Sequence, residues 1–400
     1  MISVIFYFQV HQPFRIKNYS FFDIGKNIDY FDDNKNKEIL LKVAKKCYLP
    51  TNKLLLKLIK KHKGKFKVSF SISGTAIEQF KLYSPEVIES FKELVNTGCV
   101  ELLNETFYHS LAFLYSKDEF LKQIEAHKQL LKSTFNYEAN TFRNTELIYN
   151  NDIAQSISKL GFNTILTEGA DKVLGWKSPN FVYHPKNCPH ITLLTKNYRL
   201  SDDIAFRFSN KAWEGHPLTS EKFAHWTHQF AGSAKVINLF MDYETFGEHQ
   251  WADTGIFSFL ENLPTEILKH PDFQFLTPNE VQHHYSHDDE LDIPNYISWA
   301  DEDRDLSAWR SNPLQYHAFE RIYNLEEKVF ASKDINTIHK WRLLQTSDHF
   351  YYMCTKFAAD GDVHKYFSPY KTPYDAYIHY QNVIADFEKT LITQTQLIHG

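Results

Sequence analysis

The sequence predicts an α/β fold, a (β/α) barrel followed by a bundle of helices. Three observations point there. Short apolar strands alternate with helical patterns through the first 280 residues, seven or eight times over. A polar stretch with a proline, residues 283–296, breaks the pattern. From about 305 onward the spacing is helical and no strand signal appears. Repeated strand–helix units give a parallel sheet, and this many favour closing it over leaving it open.

The elements follow in order. Strands are predicted at Ile2–Val10, Phe66–Ile72, Cys99–Leu103, Asn140–Phe142, Asn163–Leu166, Ile191–Thr195, Val236–Met241 and Phe273–Leu276, each a short apolar run. Helices are predicted at Lys37–His62 with a break near Pro50, and at Pro85–Thr97, Lys117–Phe135, Asp152–Leu160, Ser220–Gly232 and Phe257–His270. Residues 283–296 read as a linker. Leu314–Phe330, Ile335–Phe357 and Pro373–Leu397 read as three long helices, with Leu325, Val329, Leu343, Leu344 and Phe350 at helical spacings.

Composition sets limits. Of 400 residues, 43% are apolar, 23% charged and 16% aromatic, and the net charge is −5. That excludes collagen-like and low-complexity chains and disfavours a dedicated nucleic-acid binder. Four irregularly spaced cysteines give neither a disulfide framework nor a zinc ribbon. No apolar run reaches the roughly 18 residues of a transmembrane helix, and the start of the chain lacks a signal-peptide pattern, so a cytoplasmic protein without a membrane partner is expected. Oligomeric state is not readable.

In a barrel, chemistry sits where strands end at their C-terminal sides. Four such ends carry acids or histidines beside aromatics: His11, the run Glu101–His109 with Glu105, the run Phe142–Glu146 with Arg143, and the run Asp242–His249 with Glu244. A pair of carboxyls is the minimum for glycoside hydrolysis, one ionised and one protonated. Glu146 and Asp242 form the natural pair, each following a strongly apolar strand. Glu146 also reads as an early-turn acid complementing a helix dipole. Glu101 and Glu105 read equally as partners of Lys or Arg. Trp299 and Trp309 suit a sugar platform or a domain seam. His225/His228 and His284/His287 have metal-like spacing but lack a metalloprotease glutamate, so no metal and no cofactor are expected. Phosphate-loop, dinucleotide and nucleophile-elbow motifs are absent.

Together these stretches resemble glycoside hydrolase family 57, in its α-amylase-like branch. The matching residues are His11-Gln12-Pro13, Gly98–Glu101 with Phe107–Ser110, Phe142–Asn150, Met241–His249, and Ile297–Asp301 with Asp305–Trp309. They span residues 9 to about 315. The resemblance implies an incomplete (β/α)7 barrel over 1–285, with a helical bundle over 286–400 completing the groove. It implies retaining chemistry on an α-glucan or maltooligosaccharide substrate, with Glu146 as nucleophile and Asp242 as general acid/base. His11, Glu101, Glu105, His109, Arg143 and Glu244 would form the site, and Trp299 and Trp309 would close it. The family also holds 4-α-glucanotransferases and branching enzymes, so transfer is the alternative. A metal-dependent carbohydrate deacetylase or a non-catalytic glucan binder fits the residues less well.

Overall fold

The computed structural model describes residues 1–356 and 368–399. Among the described residues ten strands form two five-stranded sheets. They are β1 (Ile2–Val10), β2 (Val68–Ile72), β3 (Val100–Leu103), β4 (Thr141–Arg143), β5 (Thr164–Glu168), β6 (Tyr183–Pro185), β7 (Thr192–Lys196), β8 (Val236–Asp242), β9 (Phe273–Phe275) and β10 (Asp289–Leu291).

The first sheet runs β3-β2-β1-β8, with β9 also on β1, and all its pairings are parallel. β8 pairs β1 from Ser3 to Gln9, filling one edge. The other edge is shared: β9 takes Ile2–Val4 and β2 takes Tyr7–Val10. The second sheet runs β10-β6-β7-β5-β4 and is mixed, because β6 meets β7 antiparallel. Two seams join the sheets. The Asn104 N–H donates to Thr141 O and the Arg143 N–H to Asn104 O, both at 2.9 Å. Across β7 and β8, the Asn197 N–H donates to Asn238 O at 2.9 Å and Asn238 Nδ2 to Thr195 O at 2.8 Å.

Sequence explains the strands. β1, β2, β3, β4, β5 and β7 are buried at every residue, so their runs are continuous rather than alternating, as parallel strands covered on both faces require. Helices cover the outer faces, and the outer core is aromatic. Phe6, Phe8, Phe70, Phe91 and Tyr243 pack into one cluster. Each such ring contributes about 1.5–3 kcal/mol by burial. A second cluster joins Phe142, Ile165 and Leu193 of the second sheet to Trp309, Phe319, Trp341, Phe350 and Tyr380. The helical C-terminal part therefore packs on the second sheet.

Differences from the sequence reading have local causes. The predicted break near Pro50 lies one turn earlier, as a π-helical turn over Ala44–Tyr48 between the helices Asp33–Val43 and Leu49–Lys61. Pro50 has no N–H to give to the carbonyl one turn back, and the wider turn, with the Leu49 N–H on the Ala44 carbonyl, carries the chain past that gap. The stretch 283–296 is not a plain linker: the helix Pro278–His284 runs into it and β10 pairs β6 within it. Both strands have three residues, too short for a period to show. Helices at Gly74–Tyr83, Asp171–Leu174 and Tyr198–Ala205 are additional to those predicted. The predicted 314–330 helix divides into Pro313–Tyr323 and Glu326–Ala331. The predicted 335–357 helix divides into Ile335–Leu343 and Ser347–Tyr351, and its last residue lies outside the described residues. The helix Pro373–His399 stands as expected. Among the described residues no helix is long and apolar enough to cross a membrane.

One glycine is sterically fixed. Gly247 has φ +112°, and a Cβ there would lie 2.0 Å from the Lys46 carbonyl oxygen in the π turn. Gly247→Ala is expected to lower the unfolding free energy by about 2 kcal/mol or more, through strain and overpacking. Urea unfolding checks this: the midpoint falls and the slope stays.

Candidate active site

The C-terminal ends of β1, β4, β5, β7 and β8 bring His11, Arg143, Glu168, Lys196 and Asp242 to one side of the sheets. Glu146 follows β4 in a short 3-10 turn with φ 58° and ψ 27°. A non-glycine residue in left-handed conformation costs energy and is held only by its surroundings. Here the surroundings are hydrogen bonds. The Trp299 N–H donates to Glu146 O at 3.2 Å, and Trp299 Nε1 donates to Glu146 Oε2 at 2.7 Å. His109 Nε2 reaches Oε1 at 3.2 Å and the Ser347 hydroxyl donates to it at 3.4 Å.

His109 links two carboxylates. Its Nδ1 lies 2.8 Å from Glu105 Oε2 and its Nε2 faces Glu146. Burial opposes its charge, but the two carboxylates outweigh burial and push its pKa up to about 9. Both ring nitrogens then donate. Glu105 is fully buried, yet His109 and Arg143 hold it well below the usual range. Its other oxygen accepts from Gln9 Nε2 at 3.2 Å. The Gln9 amide oxygen accepts from Tyr7 and Ser71 hydroxyls at 2.7 and 2.8 Å.

The two predicted catalytic carboxyls are pushed in opposite directions. Burial would raise Glu146, but the hydrogen bond and charge of His109, the charge of Arg143 and the Trp299 N–H hold it below its ordinary value. Asp242 is pushed up to about 6, first by burial and then by the charge of Glu146, against Arg143, Lys196 and His109. No described residue hydrogen-bonds or ion-pairs with the Asp242 carboxyl. It is partly accessible, as a proton donor to a ligand must be. Arg143 is fully buried and its guanidinium nitrogens have no hydrogen-bond partner among the described residues; Glu105 is 3.9 Å away, and the guanidinium lies near the Trp299 and Tyr7 rings.

The structure brings Glu146, Asp242, His11, Glu105, His109, Arg143 and Trp299 together. Three predicted residues stand apart. Glu101 bonds the Thr141 hydroxyl and accepts from the Asn279 N–H at 2.9 Å; burial pushes its pKa up to about 7. Glu244 feels Asp242 electrostatically, but its carboxyl bonds the Tyr48 hydroxyl, and its pKa rises to about 8, mainly by burial. Trp309 is 1% exposed and packs in the helical core near Tyr351. The two His pairs diverge: His225 faces Gln229, His228 the Ile267 carbonyl, His284 Gln274 and His287 Thr192.

Other residues were not read from the sequence. Lys196 ends β7, bonds Asp202 Oδ1 at 3.2 Å, and lies 3.7 Å from Glu168 at the end of β5. Its Nζ is 5.4 Å from the Trp299 ring. The rule that strand ends carry chemistry finds both, since each charge is the last residue of its strand. Ser347 and Asp348 come from the helical part, and no local pattern marks them. Asp348 Oδ2 lies 2.9 Å from His11 Nε2.

A family model for glycosyl hydrolase family 57 matches residues 5–294. The chain belongs to glycoside hydrolase family 57. A relative from Methanocaldococcus jannaschii, provisionally named an alpha-amylase, is 44% identical over 96% of this chain and 84% of its own length. Among solved structures, a family 57 branching enzyme from Pyrococcus horikoshii aligns at TM-score 0.67 and 15% identity, over 91% of this chain and 86% of that one. The alpha-amylase AmyC from Thermotoga maritima aligns at 0.63 and 12%, over 98% and 93%. A 4-alpha-glucanotransferase from Thermococcus litoralis aligns at 0.60 and 18%, over 88% of this chain but only 51% of its own length. At such identities the structures show shared fold. Family membership makes this chain a glycoside hydrolase.

Proposed function

We propose that this family 57 enzyme is a retaining, α-amylase-like hydrolase of α-1,4-glucans or maltooligosaccharides. The observation that carries the reading is the opposed protonation of two neighbouring carboxyls. Glu146 is held ionised and Asp242 is held protonated into weakly acidic conditions. In the first step Glu146 attacks the anomeric carbon. The glycosidic C–O bond breaks, and Asp242 gives its proton to the leaving oxygen. In the second step Asp242 takes a proton from water, the water oxygen bonds the anomeric carbon, and the ester to Glu146 breaks. Positioned cations assist: Arg143 and Lys196 stand where negative charge on the pair must be tolerated. Trp299 fixes the Glu146 carboxylate through its N–H and adds an apolar wall beside the sugar.

The same reading takes β1, β2, β3, β4, β5, β7 and β8 as the seven strands of an incomplete (β/α)7 barrel, closed by the two seams between sheets. Residues 1–285 form that barrel domain and 286–400 a helical domain that completes the groove. The alpha-amylase name of the 44% identical relative points to the same activity.

Incubation of the purified protein with maltoheptaose, followed by chromatography of the products, tests it. Shorter sugars alone are expected. Products longer than seven units would assign a 4-α-glucanotransferase or branching activity instead, and unchanged substrate would remove the α-1,4-glucan assignment.

A further inference from the structure

The helical C-terminal part breaks at Leu344–Thr346, and the first turn of the helix Ser347–Tyr351 that follows reaches the site three times. The Ser347 N–H donates to His109 O at 2.9 Å, its hydroxyl to Glu146 Oε1 at 3.4 Å, and Asp348 faces His11 at 2.9 Å. His11 in turn stacks on His109, with ring centroids 3.9 Å apart and planes 19° apart. A ring at that distance sets where its neighbour sits.

We propose that Asp348 is a positioning residue for Glu146. It is carried in from the helical part and locks the His11 ring as the floor on which His109 stacks. The inference rests on Glu146 being the nucleophile. The proton inventory supports it. His109 donates from both nitrogens, so it carries the positive charge of the stack. A second charge face to face with it would repel, and His11 is held below its ordinary value, first by burial and then by His109. Asp348 stays ionised, because His11 and His109 outweigh the cost of burial. An ionised carboxylate only accepts, so His11 Nε2 carries the hydrogen and donates it. The neutral ring then leaves Nδ1 as an acceptor for the Ser73 hydroxyl, 2.8 Å away. Ser73 is fixed as the N-cap of the helix Gly74–Tyr83, where it accepts from the Ala76 N–H at 3.3 Å. His11 is thus pinned from both sides, by the N-cap of a barrel helix and by a carboxylate of the helical part. Asn in place of Asp348 still offers a carbonyl oxygen to Nε2; Ala offers nothing.

The test compares Asp348→Ala, Asp348→Asn and Glu146→Gln with wild type on maltoheptaose, with rates normalised to folded protein. Asp348→Ala is expected to lose about 10- to 100-fold in kcat with KM within about twofold, since misplacing a reacting group by a fraction of an ångström costs rates of this size. Asp348→Asn should keep kcat within about threefold. Unchanged kcat in Asp348→Ala, a loss confined to KM, or equal losses in the Ala and Asn variants would overturn the positioning role. Should Asp348→Ala not fold, the ¹⁵N shifts of His11 in wild type decide: a neutral ring protonated at Nε2 supports the proposal, and the Nδ1–H tautomer or an imidazolium overturns it. Full activity in Glu146→Gln would instead sink the nucleophile assignment on which the inference stands. Inactive Glu146→Gln beside normal Asp348→Ala would sink the inference alone.

Discussion

Glu146→Gln is expected to lose on the order of 10⁴-fold or more in kcat on maltoheptaose while the protein stays folded. Removing the nucleophile removes the covalent route, and what remains is positioning and charge stabilisation. Gln keeps much of the local hydrogen bonding, since its carbonyl oxygen accepts from His109 or from Trp299. The loss therefore reads chemistry rather than collapse. Two further results separate a nucleophile from a merely important acid. The Asp242 pKa, raised partly by the charge of Glu146, should fall from about 6 toward the ordinary aspartate value, measured by carboxyl NMR titration. In Glu146→Ala, azide should restore turnover of an α-maltosyl fluoride and give the β-linked azide. An external anion then attacks from the face that Glu146 occupied. A variant with activity near wild type would remove Glu146 from the mechanism.

Why Glu146 can be argued from sequence, while its support cannot, follows from distance along the chain. Glu146, Arg143, His109 and Asp242 each sit within a few residues of a strand end, so the strand–helix rhythm and the barrel rule place them. Lys196 and Glu168 obey the same rule. Trp299 follows the predicted linker by only three residues, and its Nε1–H donates to Glu146. Trp309, ten residues on, follows the same aromatic logic in sequence but is buried in the helical core. Which tryptophan faces the site depends on the chain path between them, where Asp301 and Arg304 take positive φ. Nothing in composition encodes that path.

Asp348 lies 337 residues from His11. The helical spacing there predicts one continuous helix, and the break at Leu344–Thr346 that aims Asp348 at the barrel is a tertiary event. The short strands β6 and β10 are a milder case of the same limit. They are three residues each, and their pairing depends on a partner about a hundred residues away. Glu101 and Glu244 show the converse. Glu101 is the second residue of β3, at the end away from the site, where it meets Thr141; Glu244 lies past the end of β8, in the 3-10 turn Tyr243–Thr245, which turns it toward Tyr48. A carboxylate in the right motif still has to point the right way.

Asp242→Asn carries the second large effect, and its pattern differs from that of Glu146→Gln in a way that assigns the roles. Asp242 must hold a proton when substrate arrives, so kcat/KM of wild type should fall as pH rises through about 6. It should fall on the acid side only below the pKa of Glu146, which lies under the ordinary glutamate value. Asn neither gives nor takes a proton. The variant should lose roughly 10²- to 10⁴-fold on maltoheptaose, the range of general acid–base catalysis, and its alkaline limb should vanish. An α-maltosyl fluoride needs little help in departing, so the first step should survive. The second step still needs a base to activate water, so a glycosyl-enzyme should accumulate. Mass spectrometry of a digest should find the added sugar on the peptide that holds Glu146. Azide, which needs no base, should release it as the α-linked azide, opposite to the product from Glu146→Ala. Equal losses on fluoride and maltoheptaose with no trapped sugar would mean that Asp242 orients substrate and that the proton comes from elsewhere. Within reach of Asp242's field, Lys196 is held in its charged form by Asp202 and Glu168 against the cost of burial. Glu168 is pushed up to about 7, mainly by burial. Glu168 is the group that would then inherit the acid's role.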